Sequence, residues 1–128
     1  MAKVSAGAAG EVLAARFLRD KGYTITAANV HSRLGEIDII AEDGQYIAFV
    51  EVKARSEDAI YAPREAVTLA KQRKVIATAA LYLQRHPTAL QPRFDVIEIV
   101  TAKGRPMTVL EIDHLMGAYE TEGLHAAF

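Results

Sequence analysis

Glu36, Asp38, Glu51 and Lys53 are the residues whose types and spacing could do chemistry. The first pair lies in Gly35-Glu36-Ile37-Asp38-Ile39-Ile40 and the second in Phe49-Val50-Glu51-Val52-Lys53-Ala54. These are strand-like runs joined through Asp43-Gly44, a hairpin signal. With a two- or four-residue loop the numbers of opposed residues sum to an odd value, so even positions on the first strand face the same side as odd positions on the second. All four side chains then share a face, and in the four-residue register Asp38 sits directly opposite Glu51, close enough to share an ion. A three-residue loop would put the pairs on opposite faces. Three carboxylates around one ammonium repel one another unless a cation sits among them. Hard oxygen ligands with several retained waters suit Mg²⁺, or Mn²⁺, in phosphate chemistry. Such an ion lowers the pKa of a bound water and polarises a phosphoryl oxygen, while the lysine positions the nucleophile or offsets developing charge. The plainer alternative is a solvated face or a cross-strand ion pair. Against it, Ile47-Ala48-Phe49-Val50 leads into Glu51 without a polar break, as in a central strand buried on both faces, where an unpaired charge is expensive.

The elements that must position these residues follow from periodicity and punctuation. A first helix is predicted from about Ser5 to Lys21, stopped by Gly22, with Leu13, Ala14, Ala15, Phe17 and Leu18 on one apolar arc. Glu11 falls inside that arc, so its carboxylate points toward whatever the helix packs on. Strands are predicted over Tyr23–Ala28, Glu36–Glu42 and Tyr46–Ala54. A second helix, Arg64–Arg85, is opened by Pro63 and closed by His86-Pro87. Strands Arg93–Val100 and Pro106–Ile112 follow, and the segment from Asp113 is expected to hold a short helical turn and then fray. The order α-β-β-β-α-β-β implies one α/β domain over residues 1–128, with a core of about 5–116, a tail from 117 and a central mixed sheet flanked by two main helices.

The chain has 128 residues, one domain's worth, and no cysteine, which excludes disulfides, thiolate metal sites and cysteine nucleophiles. No apolar run is long enough to cross a bilayer, and the N-terminus lacks the apolar block of a secretory signal, so a cytoplasmic protein without membrane contact is expected. The net charge of −1 conceals an asymmetry: residues 53–93 hold eight Lys or Arg against three acids, and residues 94–128 hold two against six. Charge segregated in this way suits a basic face for nucleic acid. No glycine-rich phosphate loop is present, and the four histidines lack metal-ligand spacing.

The two strand motifs, together with Glu65-Ala66-Val67 leading into Lys71, Arg93-Phe94-Asp95-Val96, Gly7 to Glu11, Gly22-Tyr23 and Asn29, resemble the bacterial YraN-like family over about residues 5–116. That family is similar to the PD-(D/E)XK nucleases, particularly archaeal Holliday-junction resolvases. The resemblance implies a restriction-endonuclease-like fold and metal-dependent cleavage of DNA, branched DNA included, by a chain that could act as a homodimer. It implies Asp38 and Glu51 as metal ligands with the carbonyl of Val52, Lys53 as the catalytic lysine, and Glu11 as an acid contributed from the first helix. Glu36 joins Glu11 in orienting a second metal or water. Ile37 stands where the superfamily motif has proline, which leaves the ligand chemistry unchanged.

The second helix adds two features. Gln72 lies on its apolar face, where an amide needs a partner; it either bonds a nearby backbone group or reaches the catalytic centre, as a polar residue of this helix does in related nucleases. Arg64, Lys71, Lys74 and Arg85 fall in one narrow arc, which with Arg55 suits phosphate contacts, or else is simply a solvated face. The leading expectation is a DNA endonuclease. Its alternatives are a nucleic-acid-binding module without turnover and an interaction protein whose carboxylates form only ion pairs.

Overall fold

The chain runs α1 (Ala6–Asp20), β1 (Thr24–Ser32), β2 (Gly35–Glu42), β3 (Tyr46–Ser56), α2 (Leu69–Arg85), β4 (Gln91–Ala102) and β5 (Arg105–Tyr119). The computed structural model describes residues 6–59 and 67–120. The strands form one sheet in sequence order, antiparallel throughout except for the parallel pair β3–β4. A parallel pair needs a crossover, and α2 supplies it. Ala14 and Leu18 of α1 pack on Ile39, Val50 and Ile97, while Val75, Ile76 and Ala79 of α2 pack on Ile40, Phe49 and Phe94. The expected α/β architecture with two flanking helices is therefore present as three layers. No described helix is long and apolar enough to cross a membrane.

Three boundaries differ from expectation by more than two residues, each for a local reason. Helix α2 starts at Leu69 rather than Arg64, because the Thr68 hydroxyl caps it by accepting the Lys71 N–H at 3.2 Å. Strand β1 continues past Ala28 to Ser32 and turns through Arg33-Leu34, with the Ser32 hydroxyl accepting the Leu34 N–H. Among the described residues no helical turn follows Asp113. Strand β5 runs on to Tyr119, because Asp113, His114, Leu115 and Tyr119 each find a register partner on β4. The register break on β5 at Met116–Ala118, opposite Asp95, lets the buried Asp95 carboxylate take the Gly117 N–H at 3.0 Å, so side-chain bonds hold this stretch where apolar alternation does not.

Four residues, Asp43–Tyr46, lie between the partners of the last β2–β3 rung, Glu42 and Ile47, and the Asp43 carboxylate accepts the N–H groups of Gln45 and Tyr46 at 3.0 and 2.8 Å. The register puts Ile39 opposite Val50, the parity that sets Asp38 against Glu51. The β1–β2 hairpin is held to α2 by close backbone approach: a Cβ on Gly35 would lie 3.0 Å from Lys74 Cβ and 3.1 Å from both the Lys74 carbonyl and Thr78 Oγ1. Two of these atoms belong to the helix frame and cannot yield easily. Gly35→Ala is therefore expected to lower stability by about 1–3 kcal/mol, read as a lower midpoint in urea at unchanged slope. An unchanged midpoint would show that the hairpin does not rest on the helix.

Candidate active site

Strands β2 and β3 stay paired only from Glu42–Ile47 to Ile39–Val50. Beyond that rung β2 continues against β1 and β3 against β4, so the sheet forks. Asp38 stands at the fork, and its Oδ2 accepts the Val52 N–H at 2.8 Å, a side chain taking the place a strand carbonyl would hold. Two further signs mark a local reversal of the chain here. Asn29, in the register gap facing Asp38, has φ 51°, and Ile37 packs with Ile40 on the α2 side instead of joining Ile39 on the other.

Glu51 is 4% exposed. It remains charged at acceptable cost only if paired, and Lys71 Nζ lies 2.6 Å and Lys53 Nζ 3.4 Å from its Oε1. Burial would lower the pKa of Lys71, but the Glu51 contact outweighs it and holds the ammonium above its ordinary value. Asp38 is pushed up to about 6, chiefly by burial and then by the neighbouring charges of Glu51 and Glu11, against the lowering effects of the Val52 N–H and Lys71. The structure thus brings Asp38, Glu51, Lys53 and the Val52 backbone together, with Glu11 on one side and Lys71 on the other. Among the described residues no three His, Asp or Glu side chains cluster tightly enough to hold an ion. An ion held here would have two carboxylates and one carbonyl as protein donors and would take its remaining ligands from water and phosphate oxygens, as Mg²⁺ commonly does.

The other sequence candidates are placed as follows. Glu36 is turned away to the exposed side chain of His31, 3.3 Å from its Nδ1. The Gln72 amide donates to the Val67 carbonyl at 3.0 Å, the backbone alternative of the two. Arg55 donates through Nε to the buried Glu98 at 2.7 Å. Lys74 and Arg85 line neighbouring cavities beside α2, whereas Lys71 belongs to the carboxylate centre as well as to the basic helix face. Arg64 lies outside the described residues.

Sequence reasoning passed over two features. The Tyr119 ring stacks on Phe94 at 5.4 Å, and its buried hydroxyl has no hydrogen-bond partner among the described residues. Burial and the charges of Glu51 and Asp95 raise its pKa and keep it protonated. On the α1 side, Asp95 accepts from Arg93 Nη2 and His114 Nε2, each at 2.8 Å, and Lys21 Nζ lies 2.7 Å from His114 Nδ1. Despite burial, these bonds hold the Asp95 carboxyl below its ordinary range. The network ties the end of α1 to β5. Its only sequence signal was the alternation of opposite charges in Arg93-Phe94-Asp95.

With this geometry in place, comparison assigns the chain to a family. The sequence profile of the uncharacterised protein family UPF0102 matches residues 10–99. A UPF0102 protein of Symbiobacterium thermophilum is 52% identical over 94 residues, covering 73% of this chain and 80% of its own length. One of Nocardia farcinica is 44% identical over 119 residues, 91% of each chain. This chain belongs to UPF0102, the YraN-like proteins.

The raised pKa of Asp38 gives a stability test. Between pH 3.8 and about 6 the folded chain keeps a proton that the unfolded chain releases, so this group's contribution to stability falls as pH rises through that window. In EDTA at neutral pH, Asp38→Asn is expected to melt a few degrees above wild type, with the difference disappearing in acid. A variant that melts lower at neutral pH would show that the carboxylate is not under electrostatic strain.

Proposed function

We propose that this chain is a metal-dependent DNA endonuclease that hydrolyses phosphodiester bonds, with structured or branched DNA as its substrate class. The observation that carries the reading is the fork itself. It gathers Asp38, Glu51, the Val52 backbone and Lys53 midway along β3, and Lys71, which meets Glu51, lines a neighbouring cavity of about 540 Å³ together with Lys74. In this reading Asp38, Glu51 and the Val52 carbonyl hold Mg²⁺ or Mn²⁺. The ion would supply an activated water and neutralise charge on the phosphoryl group.

The protein's own residues account for the rest. Glu51 orients the Lys53 ammonium, which is placed to steer the attacking water and to offset negative charge developing on the phosphate. Lys71 touches Glu51 and lines the cavity, so one cation serves both carboxylate and phosphate. Glu11 keeps the Asp38 site electron-rich and favours a cation there. A homodimer matched to a symmetric junction belongs to the same reading. A nucleic-acid-binding module without turnover is the second reading. It is favoured by the ammonium groups of Lys53 and Lys71, which already neutralise Glu51 with no metal.

Cleavage of fluorescent branched and linear DNA with Mg²⁺ or Mn²⁺ separates the two. Lys53→Ala is expected to lose about 10²-fold or more in rate while retaining DNA binding. Equal rates for wild type and Lys53→Ala, or no cleavage of any DNA form by wild type, would leave the binding module as the better account.

A further inference from the structure

The cavity beside the carboxylates does not end there. A second cavity, of about 620 Å³, shares His31, Ser32 and Arg33 with the first, so the two adjoin along α2 as one trough, narrowed where Gly35 and Ser32 of the β1–β2 hairpin meet Lys74 and Thr78 of the helix. Along the helix the trough extends from Lys71 to His86, roughly 22 Å at the ordinary rise per residue. Its two ends differ in chemistry. Near the carboxylates the cations are Lys71, Lys74 and Arg33, with the Glu36 carboxylate on the same wall beside His31. At the far end Arg85 accompanies an aromatic platform in which the Tyr82 and His86 rings stack with centroids 4.3 Å apart and planes at 25°. Tyr82 is braced from beneath by an edge contact with Phe49, and His86 is exposed.

Spaced cations leading to an exposed stacked ring are the arrangement that tracks an unpaired strand, because phosphates pair with the cations and a base lies on the ring. A duplex turns its bases inward and has no free π-face to offer. Building on the endonuclease reading, we infer that the trough from Lys71 to His86 binds a single-stranded segment of DNA, stacking a base on His86 and leading the backbone to the Asp38–Glu51 centre. Substrates with an unpaired tail or gap beside the scissile bond are then preferred over continuous duplex. The β1–β2 hairpin forms one wall of this site through Arg33.

The test is fluorescence anisotropy with the full chain in EDTA, so that binding is read apart from cleavage. The probes are a short oligothymidylate, an abasic strand of equal length and a duplex of equal length, at about 50 and 200 mM salt. Wild type should bind oligothymidylate more tightly than duplex. His86→Ala should weaken oligothymidylate binding by about 5- to 100-fold and leave the abasic strand unaffected. Arg33→Ala and Arg85→Ala should weaken both single strands, and each should reduce the salt slope by about 0.7. All three positions are exposed, and unchanged melting of the variants establishes folding. Duplex binding as tight as single-strand binding, or a His86→Ala loss that is absent or equal on the abasic strand, overturns the inference. Single-strand preference in a chain that cleaves nothing would remove the nuclease and leave the trough. Cleavage without that preference would do the reverse.

Discussion

A carboxylate buried midway along the central strand is the constraint around which the rest of the structure is arranged. Glu51 lies on β3, between β2 and β4 and beneath α2, where charge is costly unless compensated. Compensation comes from Lys53 on its own strand and Lys71 on the crossover helix, so the start of α2 is fixed by electrostatics as well as by its apolar face. The Thr68 cap sets the first turn that carries Lys71 to this point. The same groups stand at an open fork next to a cavity that Lys71 also lines, which is where the proposed metal and phosphate would be held.

The fork depends on one substitution of partners. Strand β2 leaves β3 after Ile39, and the Asp38 carboxylate, not a main-chain oxygen, accepts the Val52 N–H. That bond orients Asp38 and keeps Val52 in place while the strands separate. The two faces of the sheet then divide the work. The α2 face holds the carboxylate centre and the trough. The α1 face carries the Asp95–His114–Arg93 network, which secures β5 and the C-terminal end of α1.

The central features were legible because they rest on rules with a short range. Period-two alternation and the Asp43-Gly44 turn bring Asp38 and Glu51 to one face for a two- or four-residue loop, a condition the observed register meets, and the unbroken apolar run before Glu51 announced a strand buried on both sides. What was not legible depends on distant partners. Lys71 reads as one member of a basic helical stripe, because nothing local shows that α2 begins over Glu51. The strand through Tyr119 is stabilised by side-chain bonds to Asp95, and its own sequence shows little alternation. Glu36 shares parity with Asp38, but past the fork the chain turns and its carboxylate meets His31 instead. The amide of Gln72 was left between two partners by its helical position, and the Val67 carbonyl takes it.

Calorimetric titration of Mg²⁺ and Mn²⁺ into wild type and Glu51→Gln tests the central claim most directly, since it asks whether the fork is a cation site before any substrate is chosen. The account predicts saturable binding to wild type, strengthened by DNA and lost in the variant. Absence of binding to wild type with DNA present, or equal binding to the variant, would contradict it and leave the carboxylates as an ion-pair network that fixes α2 to the sheet.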